Sequence, residues 1–176
     1  FLSERLSEDI LSDLLPLIDD TSEHVRFQLA FTLGESADDR AITGLARILL
    51  DARNGKDIQS AVLSSASGTA DKLAALLLAS SESSSVRTLA ILSQLGQIAG
   101  SNPQTATAVG MLASISSTDV STSVQQATLS GIGKGLAARG STVTKLVSDK
   151  TVSAKSKQQI ATLFSNAIQS ARDEGK

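Results

Sequence analysis

The sequence predicts an all-α protein, a right-handed α-solenoid (α-α superhelix) of about four to five antiparallel helix pairs. Apolar residues recur at helical spacing along almost the whole chain, and no segment sustains the alternation of a β-strand. The segments come in pairs, and the apolar residues that open the first segment of each pair are 33, 28 and 38 residues apart, namely Val25, Ile58, Val86 and Val124. Residues 61–67 also match residues 127–133 at an offset of 66. Such a period is typical of stacked helical repeats.

Composition narrows the possible functions. The 176 residues are 41% hydrophobic, with four Phe but no Trp or Tyr, which favours close packing of small aliphatic side chains. The formal charge of −2 and the lack of basic clusters with interleaved aromatic residues argue against nucleic-acid binding. Absence of cysteine excludes disulfides and thiolate metal sites, and no apolar run approaches the roughly 20 residues that span a bilayer. Because the chain begins with Phe1 and shows no signal peptide, we interpret residues 1–176 as a single repeat domain cut from a longer protein.

The first helices have well-marked limits. An apolar helical pattern over residues 8–18 ends near Pro16, and a helix over 22–33 begins with Ser22 as N-cap and is stopped by Gly34. Its apolar residues cover about 240° of arc, which predicts burial on more than one side. They are Val25, Phe27, Leu29, Ala30, Phe31 and Leu33. The next helix, over 39–52, is amphipathic, with Ile42, Leu45, Ala46, Ile48 and Leu49 on its apolar face and Arg40, Thr43, Arg47 and Asp51 on the other.

The same alternation continues along the rest of the chain. We predict a second pair of helices over 58–66 and 69–79, a third over 86–99 and 103–116, and a fourth over 124–138 and 142–147. Pro103 suits the start of a helix. A last helix over 155–172 has the apolar stripe Ile160, Leu163, Phe164, Ala167 and Ile168.

Three glycines in the fourth pair, Gly131, Gly133 and Gly135, call for an explanation. A nucleotide-binding loop is a poor one, because no β-strand precedes them and the P-loop's first glycine and its Ser or Thr after the lysine are missing. Glycine inside a helix costs roughly 0.5–1 kcal/mol relative to alanine. The glycines therefore indicate either close backbone packing or a broken helix.

One stretch of the chain resembles a known family. Asp20, Val25-Arg26, Leu29-Ala30, Leu33-Gly34, Asp38-Asp39-Arg40-Ala41 and Leu45 together resemble a HEAT repeat of the short, lyase-like type. The resemblance implies a ladder between repeats, formed by an aspartate in the turn and an arginine six residues later. Arg26 falls inside the apolar arc and so needs a charged partner, for which Asp20 and Asp51 are the candidates. Arg87 has Ser81 where that aspartate would stand, so we expect the ladder at one junction only.

The stretch is also similar to the HEAT segment of planctomycete-type exported proteins. Those proteins combine a dehydrogenase-like propeller with a c-type cytochrome domain, so the resemblance implies an exported or periplasmic protein with a redox context. This chain has no Cys-x-x-Cys-His sequence to which a heme could attach. We therefore expect it to need no cofactor of its own.

No residues form a convincing catalytic or metal site. The lone histidine, His24, follows Glu23 in the first turn of a helix and is best explained as a solvated surface residue. In HEAT arrays the second helix of each pair lines the concave face, which here would present Arg40, Arg47, Arg53 and Lys72 to a protein partner. These charges are also compatible with an ordinary solvated surface.

The sequence thus favours a non-catalytic scaffold. We expect a monomer that binds protein, either other domains of the same chain or a separate partner. The alternative is an accessory subunit, or a lyase-like HEAT protein that holds a chromophore or a client protein for an enzyme. A cleft with buried polar groups would favour the alternative, whereas a smooth groove would favour the scaffold.

Overall fold

The computed structural model describes residues 8–116, 119–150 and 152–173, with side chains from Ile10 to Ser165 within those ranges. This part of the chain is helical throughout its regular structure and contains no strand. The α-helices are α1 (Glu8–Leu14), α2 (Glu23–Gly34), α3 (Asp39–Leu50), α4 (Lys56–Ser64), α5 (Ala70–Leu78), α6 (Val86–Ser101), α7 (Thr105–Ser114), α8 (Thr122–Ala138), α9 (Val143–Ser148) and α10 (Ala154–Asp173). Two 3-10 helices, Leu15–Asp19 and Ala66–Gly68, precede α2 and α5. The predicted all-α class is confirmed.

The helices form a two-layer stack. The first members of the pairs pack along one layer, α2 against α4 and α6 against α8. The second members of the first three pairs pack along the other, α3 against α5 and α5 against α7, and the last helix, α10, packs against α7. The layers contact each other within the pairs, as α2 does α3 and α6 does α7. The buried side chains between them form one continuous core from Leu11 to Leu163.

Polar side chains also bridge successive pairs at the predicted repeat distance. Lys72 Nζ donates to Asp39 Oδ1 across 33 residues at 2.7 Å, and Gln59 Nε2 donates to Gln94 Oε1 across 35 residues at 2.8 Å. Asn102 Nδ2 donates to the Ser67 carbonyl, again across 35 residues. The period seen in the sequence is therefore the spacing at which equivalent positions become neighbours in space.

Side-chain caps fix where several helices begin. Ser22 Oγ accepts from the Val25 amide, Asp38 Oδ1 from the Arg40 amide at 2.8 Å, and Thr142 Oγ1 from the Lys145 amide at 3.2 Å. These contacts satisfy amides that have no partner within their own helix. The predicted starts after Ser22 and Thr142 are confirmed.

Two predicted helix limits were wrong. Gly34 does not stop α2, because the helix includes it and is capped by Glu35. A Cβ on Gly34 would overlap the Ser65 side chain, so the glycine is required by the close approach of the end of α4. Pro103 does not open a helix either, because α7 begins at Thr105 and Gln104 is its N-cap.

The predicted core of α3 is confirmed, whereas that of α2 was too wide. Every residue assigned to the apolar face of α3 is buried. In α2, Phe31 is 41% exposed and Val25 and Phe27 are only half-buried, so the neighbouring helices do not cover the whole predicted arc. Val86, which marks the third repeat, is 86% exposed in the first turn of α6. In α10, Ile160 and Leu163 are buried and Phe164 is half-buried, while the side chains of Ala167 and Ile168 lie outside the described residues.

The helix α8 is unbroken from Thr122 to Ala138, so its glycines do not mark a broken helix. Two of them, Gly131 and Gly135, allow close backbone packing instead. A Cβ on Gly131 would overlap the Ser93 carbonyl of α6, and one on Gly135 would overlap the Gln97 carbonyl. These contacts advance along both helices together, so α6 and α8 run in the same direction. Gly133 is different, because nothing lies within 4 Å of a Cβ placed there.

The positions of α6 that face α8 are also glycines, Gly96 and Gly100. A Cβ on Gly96 of α6 would lie 2.8 Å from the Thr128 carbonyl oxygen, and one on Gly100 would overlap the Ile132 carbonyl. The sequence therefore has glycines four residues apart on both helices, a spacing that puts small residues on one helix face. Carbonyl oxygens of one helix can then approach Cα–H groups of the other.

Gly131→Ala should lower the free energy of unfolding by about 1–3 kcal/mol, because the new methyl group must push α6 and α8 apart. The matched control is Gly133→Ala in the same helix, which adds a methyl group in open space and should stabilise by about 0.5–1 kcal/mol. Urea denaturation followed by circular dichroism measures both. Equal effects of the two substitutions would contradict the close contact.

Candidate interaction surface

Arg26 is 4% exposed, and the structure satisfies its guanidinium without a carboxylate. Its Nη1 donates to the backbone carbonyls of Asp20 at 2.6 Å and Thr21 at 3.1 Å, and its Nε donates to Asn54 Oδ1 at 2.7 Å. Asn54 is buried as well, and its Nδ2 donates to the Ile48 carbonyl at 2.9 Å. One asparagine thus connects the start of α2 to the end of α3.

The expected partners of Arg26 are close by but bonded elsewhere. The Asp20 carboxylate accepts from the Ser22 amide at 2.7 Å, where it helps to start α2. The Asp51 carboxylate binds the Arg53 guanidinium, with a shortest distance of 2.7 Å. Backbone carbonyls replace the two carboxylates at Arg26, because they are already fixed at the helix ends and need no further charge to be buried.

Arg87 makes a second contact of this kind, at a junction where we expected none. Its Nη2 donates to the carbonyls of Leu49, Asp51 and Asn54 at 3.2, 3.1 and 3.0 Å. Because backbone carbonyls accept these hydrogen bonds, the contact of Arg87 does not need an aspartate at position 81. The role of Asn54 was missed from the sequence. Arg26 and Arg87 each follow a valine at the start of a first helix, and this matching position could have indicated that the two arginines make equivalent contacts.

The structure brings together three of the four predicted surface cations. Arg40, Arg47 and Lys72 lie on one surface with Asp39 and Thr43, which we call the α3–α5 face. A groove of about 370 Å³ runs between α3 and the preceding 3-10 helix, and Arg40 and Arg47 line it. Lys72 of α5 reaches the same groove through Asp39. Arg53 lies in the turn after α3 and does not line this groove.

Each of these cations has an aspartate partner. Arg40 binds Asp38 at 3.0 Å, Arg47 binds Asp19 at 2.9 Å, and Lys72 binds Asp39 at 2.7 Å. Arg53 binds Asp51 at 2.7 Å. The expected basic surface is therefore a mosaic of both signs.

These pairs shift the ionisation of their members. The hydrogen bond from the Arg40 side chain holds the pKa of Asp38 below its ordinary value of 3.8, and that from Arg53 does the same for the pKa of Asp51. The hydrogen bond to Asp39 raises the pKa of Lys72 above 10.5. Asp38 and Asp51 therefore stay negative and Lys72 stays positive over the whole neutral range.

A second groove lies in the other layer, between α2 and α4. Exposed His24 is in its wall, beside Glu23 and Asp57. No group of three or more His, Asp or Glu side chains in the described residues is arranged to hold a metal ion. A third groove of about 300 Å³, between α9 and α10, is mainly apolar, with Val143, Val147, Ile160 and Phe164 in its walls.

No family model, curated protein or solved structure matches the chain. Among the described helices, none is long and apolar enough to cross a membrane. What the protein can do is therefore inferred from its own surfaces.

Arg26→Ala should lower the free energy of unfolding by about 2–4 kcal/mol, because the buried Asn54 side chain and the part-buried carbonyls of Asp20 and Thr21 lose their donor. Arg53→Ala is the matched control, since its exposed ion pair is screened by solvent and its loss should lie within experimental error. Chemical denaturation measures both. Equal, small losses would show that the buried arginine does not join the repeats.

Arg40→Ala should raise the pKa of Asp38 toward 3.8, because the carboxylate loses its main hydrogen-bond donor. A lowered folded-state pKa stabilises the fold above the ordinary value, and that contribution is lost as pH falls through the folded pKa. Carboxyl carbon NMR during an acid titration measures the shift, with Asp51 as internal control because Arg53 is unchanged. An unaltered Asp38 titration would show that Arg40 is not its partner in solution.

Proposed function

We propose that the chain is a non-catalytic protein-interaction module, a HEAT-like scaffold that positions other domains or a partner protein. The α3–α5 face supports this best, because side chains from two successive repeats form one surface there. Lys72 of one pair reaches Asp39 of the preceding one, so the surface depends on the stacking itself.

The chemistry of this face suits a protein partner. Its charges form pairs of opposite sign, so a partner with complementary pairs can exchange each exposed ion pair for one across the interface. Exposed pairs of this kind are worth at most about 1 kcal/mol, so exchanging them costs little stability. Complementary charge order mainly gives specificity and a faster association rate.

The rigid background of the face supports the same proposal. The opposite side of α3 is buried throughout, and the Arg26–Asn54 contact fixes the turn that follows it. A partner would therefore meet a surface that is already in its binding geometry, which reduces the entropy cost of association.

The second candidate function is that of a holder for a chromophore or client protein. The apolar groove between α9 and α10 favours it, because apolar walls are typical of small-molecule sites. At about 300 Å³ this groove is at the lower end of the size of ligand pockets. It is also open to solvent, and for these reasons we place this function second.

A photo-crosslinking amino acid at Thr43, in the centre of the α3–α5 face, should give covalent adducts with one protein in the source cells. The same amino acid at Gln126, an exposed site on α8 in the other layer, is the matched control. Mass spectrometry identifies the adduct, and Arg47→Ala or Lys72→Ala should then weaken binding of the purified partner. Similar adducts from both sites, or no effect of either substitution, would contradict the proposal.

A further inference from the structure

The groove between α2 and α4 contains an exposed aromatic pair. Phe27 and Phe31 lie one helical turn apart, with ring centroids 5.1 Å apart and planes at 80°. This edge-to-face arrangement is favourable and holds both rings in place. Phe27 is half-buried, but Phe31 is among the most exposed large apolar side chains in the described residues.

Two carboxylates flank these rings. Asp57 of α4 lines the groove both beside Phe31 and beside His24, in parts of about 400 and 600 Å³. Glu23 stands at the start of α2, and a Cβ placed on Gly55, the N-cap of α4, would lie 3.5 Å from its Oε1. The acidic and aromatic groups thus occupy a single surface, which we call the α2–α4 groove.

The charge balance of this groove differs from that of the α3–α5 face. There each aspartate is paired with an arginine or lysine within 3.0 Å. In the described part of the chain, no Lys or Arg side chain lies within ion-pair distance of Glu23 or Asp57. The groove therefore has two uncompensated negative charges next to an open ring surface.

We propose that the α2–α4 groove binds an arginine side chain of a protein partner, with an apolar residue next to it. A guanidinium stacks on an aromatic ring through its planar face and donates in-plane hydrogen bonds to a carboxylate at the same time. A lysine ammonium lacks the planar face. The neighbouring apolar residue would cover the part of Phe27 that remains exposed in the groove.

This inference is independent of the function proposed for the α3–α5 face, since the two surfaces belong to different layers. It gives the stack a second attachment point, so that two partners could be held at once. Binding of a single short segment would be weak, because exposed contacts of this kind each contribute little.

The test uses the whole chain with fluorinated phenylalanine, which gives one fluorine signal for each of the four Phe. A short uncharged peptide with one arginine followed by one leucine is titrated in. The signals of Phe27 and Phe31 should shift and saturate, while that of Phe164 should not. The same peptide with citrulline, which has the shape of arginine without its charge, should produce no saturable shift.

Variants separate this site from the rest of the surface. Asp57→Asn and Glu23→Gln should each weaken binding by about twofold to fivefold. Glu82→Gln, an exposed acid in the loop before α6, is the matched control and should leave binding unchanged. Absence of saturation by the arginine peptide, equal binding of the citrulline peptide, or no effect of both acidic substitutions would overturn the proposal.

Discussion

The stacking of the first repeats depends on how a buried guanidinium is satisfied. Arg26 is removed from water, and a buried charge without partners would cost more than the surrounding apolar contacts contribute. The partners are carbonyls at the turn before α2 and the side chain of Asn54. Asn54 in turn binds Ile48, and its own carbonyl accepts from Arg87 of the third pair. One residue therefore fixes the relative positions of α2, the turn after α3 and α6.

The later repeats are joined by a different physical means. Among the buried side chains that the structure describes, those of α6 and α8 are all uncharged. Glycines on both helices instead let the two backbones touch. The difference follows from the composition, because a chain without Trp or Tyr has few large side chains to fill a wide gap between helices. Because glycine has no side chain, α6 and α8 can approach until no gap is left between them. The stack is thus polar at its first junctions and backbone-to-backbone at a later one.

The helices and their pairing could be predicted from the sequence, because the 3.6-residue period and the repeat of about thirty-three residues can both be read from the order of the residues. It also located Arg26 as a residue in need of partners. It did not identify the partners, since backbone carbonyls have no sequence signal and an asparagine 28 residues away enters the contact only once α3 and α4 are folded. The sequence predicted the surface cations but not the aspartates that pair with them. Arg47 contacts Asp19 and Lys72 contacts Asp39 only because the helices stack. The exposure of Phe31 was missed for a similar reason, as an apolar arc does not say which neighbours will cover it.

The small side chains of the core also determine where this protein can bind anything. Two layers packed through Ala, Leu, Ile and Gly leave little room between them, and the grooves between α2 and α4, beside α3 and between α9 and α10 are open to solvent. Recognition then depends on the order of charges and exposed rings along the repeats. On the α3–α5 face the charges cancel in pairs, and the partner proposed for it would have to match the order of those pairs. In the α2–α4 groove, neither Glu23 nor Asp57 has an ion-pair partner among the described residues. A ligand with a positive charge would therefore complement that surface. Because the repeat distance sets both arrangements, a substitution that shifts the stacking should alter recognition on both layers, even when it lies far from either surface.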